Sequence, residues 1–176
     1  MQLKSVSNRY GAVVVTIHWL TALSIFTLLG LGLGIATAPD AASKAALLRL
    51  HLPLAIVVLV LTLARILWWW LADKRPEPVA GSPAWQERLA WFVHRALYVA
   101  ILVQCSLGIG LVATTGAGPA IFGGSPADLP DFSASPAAVG HAIGGVVLAG
   151  LVALHAGAAL FHQFIQRDHL LRRMWF

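Results

Sequence analysis

Residues 137–165 read AAVGHAIGGVVLAGLVALHAGAALFHQFI. The stretch has no Asp, Glu, Lys or Arg, and no formal charge occurs between Asp131 and Arg167. About 20 apolar residues are enough for a helix to cross the hydrocarbon core of a bilayer, so the segment reads as a transmembrane helix. Three histidines interrupt it: His141, His155 and His162. Ionisable side chains are expensive in hydrocarbon and mark function where they occur. His141 and His155 are 14 residues apart. At roughly 100° and 1.5 Å per residue they point to nearly the same side, about 21 Å apart along the axis. Two sites stacked across a membrane would need that separation.

Working outward, three more stretches are long and apolar enough to span, giving helices over about 11–38, 48–72, 85–115 and 137–165. Arg65 lies inside the second and Arg95 inside the third, each near an end where a long side chain can snorkel. Pro39-Asp40 ends the first span, and Ser82-Pro83 reads as a cap with proline at the start of the third. The segment 116–136, rich in Gly, Pro, Ser and Ala, reads as a loop. Short connections imply antiparallel neighbours. The expected fold is all-α: one integral membrane domain, 1–176, forming a four-helix up-down bundle.

Composition points the same way. Hydrophobic residues make up 59% of the chain and charged residues only 11%, against about 25% charged in a soluble domain. The net charge is +5, but the basic residues flank the apolar runs instead of gathering on a soluble module, which argues against nucleic acid. Cys105 is the single cysteine, so neither an internal disulfide nor a cysteine metal site is available. The first apolar run is too long for a signal-peptide core, and no convincing cleavage site follows it. Lys4, Arg9, Arg65, Lys74, Arg75, Arg88, Arg95, Arg167, Arg172 and Arg173 collect on one side, and only Lys44 and Arg49 on the other. Both termini are therefore expected in the cytoplasm. Trp68-Trp69-Trp70 reads as an interfacial anchor.

In that orientation His18 and His94 lie in the cytoplasmic halves of the first and third helices. His51 and His141 open the second and fourth at the outer side. His155 and His162 follow towards the cytoplasm, while His169 belongs to a charged tail. By depth His51 matches His141, and either His18 or His94 matches His155. A divalent cation in low dielectric would recruit Asp or Glu, and none lies in the apolar runs, the third of which starts at about Leu89, past Glu87. Neutral imidazole pairs suit haem iron better, because the porphyrin brings its own negative charge. Two b-type haems are thus expected, with a histidine-based cation transporter as the remote alternative. Gly145 and Ala159, one turn after His141 and His155, would leave a porphyrin room, though ordinary membrane-helix packing favours the same residues. Gly30, Gly32 and Gly34 read as packing positions.

The layout resembles the bacterial cytochrome b561 family of small di-haem membrane cytochromes. The resemblance rests on Thr16-Ile17-His18-Trp19-Leu20, Leu50-His51, His94-Arg95-Ala96-Leu97-Tyr98, Gly140-His141, the run from Leu154-His155 to Phe161-His162, and the closing segment from Arg167 to Met174. It implies that His51 and His141 hold an outer haem b and that His18 and His155 hold an inner one. It also implies a ubiquinone site at His94 and His162. One branch of the family is a superoxide oxidase, which takes electrons from superoxide at the outer face and reduces ubiquinone. A haem with two histidine ligands has no open position and transfers electrons rather than activating oxygen.

Lys44 and Arg49, just before His51, are candidates for steering superoxide; a solvated loop or contacts to haem propionates would use them equally well. Arg9, Arg65 and Arg95 are candidates for the inner propionates. The other functional class is a cytochrome b subunit linking a partner dehydrogenase or hydrogenase to the quinone pool. The expected location is the bacterial inner membrane. The expected partners are lipid, ubiquinone and superoxide, with a redox partner protein and a second copy left open and nucleic acid excluded.

Overall fold

The computed structural model describes residues 2–78 and 81–175. Its long helices are α1 (Ala12–Ala36), α2 (Ala41–Leu71), α3 (Ala84–Thr115) and, after a short α4 (Gly118–Phe122), α5 (Pro136–Phe161). A π-turn (His162–Gln166) extends α5, and a 3-10 turn (Leu170–Met174) follows. The described residues form no strand; their one β-bridge joins Val6 and Arg9. Large apolar side chains such as Phe26, Trp70, Phe92 and Val146 are exposed along the outside of the bundle. That surface is untenable in water and ordinary in lipid. The four long helices each carry a window apolar enough to cross a membrane.

Two features depart from the sequence reading. α2 begins at Ala41, not near residue 48. Asp40 caps it, accepting a hydrogen bond from the Ser43 amide at 2.7 Å, and Ser43's bonds hold the exposed Asp40 carboxyl below its ordinary range. Lys44 and Arg49 lie in the first turns, so an apolar scan starts too late. His51 therefore sits ten residues inside its helix instead of opening it. Pro53 follows within the helix and, having no N–H, leaves the Arg49 carbonyl without its helical donor.

The second departure is the 116–136 segment, which is folded. Gly116, at φ 65°, ends α3 in the left-handed conformation that glycine adopts without strain. α4 then tucks Ala117, Ala120 and Ile121 out of solvent and packs on α2. The Arg49 Nε donates to the Ile121 carbonyl, tying this cap to α2. Two 3-10 turns, Pro126–Asp128 and Phe132–Ala134, continue the cap against α2 and α5 respectively.

α1 packs closely along α2, and α3 along α5, while α2 meets α3 more lightly. The bundle is thus two helix pairs with a seam between them. One buried cluster closes its middle: Ile25, Val58, Ile101 and Leu148, one from each long helix. Each lies seven residues, or about 10 Å of helix, from a histidine: His18, His51, His94 and His141 respectively. Leu148 is also seven residues before His155. An apolar layer thereby separates two histidine layers.

The segments preceding α1 and following α5 meet at one end of the bundle. The Tyr10 amide donates to the Arg173 carbonyl at 3.1 Å, and the Arg9 guanidinium donates to the Trp175 carbonyl at 2.9 Å. Arg173 donates to the carbonyls of Asn8, Ser7 and Glu77. Asp73 anchors the same end. It accepts from the Ser5 amide and hydroxyl, the Trp68 indole and the Lys74 amide. Partial burial pushes its carboxyl up, but these four donors outweigh that and hold it below its ordinary value.

Candidate functional site

The histidine rings face one another across the seam in two layers. In the layer nearer the α4 cap, His51 of α2 and His141 of α5 have ring centroids 6.3 Å apart. In the layer nearer the termini, His18 of α1 and His155 of α5 are 6.1 Å apart. All four side chains are half-buried. Two imidazoles bonded to opposite sides of one metal ion, with bonds of about 2.0 Å, place their centroids about 6 Å apart. Both pairs have the span that axial ligation of one iron requires.

The outer pair is supported from α3. The His141 Nδ1–H donates to the Gln104 carbonyl at 3.1 Å, and the Gln104 carboxamide donates back to the His141 carbonyl at 2.8 Å. A hydrogen on Nδ1 leaves the Nε2 lone pair free for a metal, the usual outer support of a histidine ligand. Gly108 makes the room: a Cβ there would stand 3.1 Å from the His141 ring. Gly32 of α1 plays a looser form of this role for His51, at 3.9 Å. A Cβ at Gly144 would collide with the Gln104 carboxamide. Sequence reasoning picked out Gly145 and missed Gln104 and Gly108, because nothing within α3 marks which residues will meet a histidine of α5.

The inner layer is more crowded. His94 lies 5.0 Å from His155, centroid to centroid, closer than two rings sharing an ion. Its Nδ1 is against the Ala90 carbonyl one turn back, and its side chain, unlike the other four, is exposed. The Arg65 guanidinium lies 3.0 Å from His18 Nδ1, while its Nε is buried without a partner. A guanidinium only donates, so in this arrangement His18 Nδ1 is the acceptor.

His162 lies in the π-turn, where Asp168 accepts a short hydrogen bond from its Nδ1. Asp168 is held in turn by the Leu170 amide at 3.0 Å and is flanked by Arg167 and His169, both at positive φ. The structure therefore pairs His162 with Asp168 and His94 with His155. Of the two outer cations, Arg49 holds the cap as described. Lys44 lies near Asp131, whose carboxyl is lowered first by Ser133's hydrogen bonds and then by Lys44. Among the described residues no three His, Cys, Asp or Glu side chains are grouped to hold a metal ion. Cys105 is packed beside the apolar layer.

Fold and site define a class: a four-helix membrane protein whose facing histidines form two stacked pairs. A family model described as prokaryotic cytochrome b561 matches residues 9–176, and the chain belongs to that family. It is similar to cytochrome b561 homolog 1 of Escherichia coli, with 37% identity over 102 residues. That match covers 56% of this chain and 58% of the relative's length. The chain is thus a member of a b-haem family, multi-pass in the bacterial inner membrane.

Proposed function

We propose that the protein oxidises superoxide at the capped end of the bundle and reduces ubiquinone at the terminal end, using two b haems. His51 and His141 hold one haem, and His18 and His155 the other. The observation that carries the haem assignment is the pair of ring separations, 6.3 Å and 6.1 Å, one in each layer, while the choice of superoxide and ubiquinone rests on the family resemblance. The haems, when bound, supply one-electron carriers with no open coordination position. In this reading the termini lie in the cytoplasm, on the side where ten of the twelve Lys and Arg residues collect.

The residues divide the work. Two superoxide anions each lose one electron, giving two O2, and one quinone takes two electrons and two protons to become quinol. Asp40, Asp128 and Asp131 outweigh Lys44 and Arg49 on the outer side, so these two cations act only as a local positive patch just before His51 that attracts a small anion. His162 keeps its hydrogen towards Asp168, so Nε2 faces outward as an acceptor or, once protonated, a donor to a quinone carbonyl. The exposed His94 is the second histidine a lipid-borne quinone can reach. Iron on His18 Nε2 would put the hydrogen on Nδ1, and Arg65 could no longer donate there. Its unpartnered Nε and the released amino group would then serve a haem propionate.

The test is to supply a superoxide flux to the purified haem-loaded protein with ubiquinone, following the haem α-band and quinol together. Reduced haem and accumulating quinol, with the quinol lost in His162→Ala, is the expected result. Haems that stay oxidised under superoxide would instead make the protein an electron-transfer subunit for a partner donor.

A further inference from the structure

An open cleft of about 740 Å³ lies at the terminal end, between the N-terminal segment and the last residues of the chain. Its walls include three guanidinium side chains, Arg9, Arg172 and Arg173, and three apolar ones, Phe164, Leu171 and Trp175. The arginines bring positive charge that the described residues do not neutralise. Arg9 donates to the Trp175 carbonyl, and Arg173 to the carbonyls of Asn8, Ser7 and Glu77. The Arg172 side chain is exposed and makes no hydrogen bond among the described residues. The nearby carboxylate, Asp168, is committed to His162 and the Leu170 amide. The single ion pair among the described residues is His162–Asp168, and it uses none of these arginines.

The apolar walls face outward: Phe164 is 66% exposed and Trp175 60%. Three cations with no ion pair among the described residues, beside exposed aromatic rings where membrane helices end, are the chemistry of the headgroup boundary. A neutral ligand would have no use for this charge. Water alone would have no use for the aromatic walls. We propose that this cleft is a site for an anionic phospholipid. Its phosphate sits among Arg9, Arg172 and Arg173, and its acyl chains run along Phe164, Leu171 and Trp175. The site is distinct from the histidine layers and does not depend on which donor feeds them.

The test uses the full haem-loaded chain in detergent and native mass spectrometry, with phosphatidylglycerol and phosphatidylcholine of identical acyl chains. Preferential retention of phosphatidylglycerol is expected. Arg172→Glu should weaken that preference by about fivefold or more, the effect of about 1 kcal/mol per basic residue at an anionic surface. Arg172→Lys should largely preserve it. Among the described residues the Arg172 side chain bonds to no other segment, so an unchanged haem spectrum and melting temperature will show that the variants fold; if the glutamate variant does not, Arg172→Gln replaces it with the same expectation. Equal retention of both lipids, or a preference untouched by these substitutions, overturns the proposal. A third arm adds millimolar inorganic phosphate. Phosphatidylglycerol should remain bound, and its displacement would assign the cleft to a soluble phosphate instead.

Discussion

The outer pair, His51 and His141, is alone in its layer, whereas His18 and His155 share theirs with His94 and Arg65. The outer pair is set by glycine and backbone: Gly108 clears the ring of His141, and the Gln104 carbonyl fixes its hydrogen. The inner pair is set by charge and crowding: Arg65 approaches His18, and His94 stands 5.0 Å from His155. The first arrangement has no substitute for a lost ligand. The second has a spare imidazole within reach and a cation whose partner must change when a carboxylate-bearing cofactor is present.

This difference can be broken most sharply with the ligands. His51→Ala or His141→Ala should remove one haem outright, halving the haem-to-protein ratio measured as pyridine haemochromogen. His18→Ala should retain part of the inner haem, with a shifted α-band, if the His94 ring swings back from its 5.0 Å spacing to His155 to the roughly 6 Å of two rings sharing an ion, and His18→Ala combined with His94→Ala should lose it. Equal losses from His18→Ala and His51→Ala would erase the contrast. Next in size is Gly108→Val. Overpacking of a filled site costs about 1–3 kcal/mol, and here it falls on the His141 ring, so the outer haem should be lost while the inner one is kept.

A comparable effect, away from both layers, is expected at Asp73. Asp73→Asn weakens the bonds from Ser5, Trp68 and Lys74, costing about 1–3 kcal/mol and lowering Tm by several degrees in a chain of this size. Because the folded carboxyl is held below its ordinary value, its stabilisation is complete at neutral pH. It fades only as pH falls below about 4, through the depressed value. Melting curves across that range should lose this acid-side slope in Asp73→Asn. The smallest effect is at Arg49. Arg49→Glu should slow superoxide-driven haem reduction at low salt and much less at high salt, since steering is screened. An unchanged rate would leave Arg49 with only its bond to the Ile121 carbonyl.

The four apolar helices were legible because hydrocarbon imposes a one-dimensional rule of length and polarity, whereas His51 was expected to open its helix and sits ten residues inside it. The 14-residue interval from His141 to His155 sufficed to foresee two layers. The start of α2 was not legible, because Asp40's cap places Lys44 and Arg49 inside a helix while an apolar scan excludes them. The α4 cap was hidden by composition: Gly118 and Pro119 look like loop residues, and Ile121 is buried only because α2 is there to receive it. Gln104 and Gly108 became visible only when α3 was laid against α5, since their roles are set by a residue on another helix. His162 was marked by its position, but its partner Asp168 depends on the π-turn and on positive φ at Arg167 and His169, which nothing in those residue types demands.

Two haems held by paired histidines are tested most directly by quantifying haem per chain in the purified protein and recording its low-temperature electron paramagnetic resonance spectrum. The expected result is two haems per chain, both low-spin with two histidine ligands. One haem per chain in correctly folded protein, or a high-spin signal showing an open axial position, would contradict it.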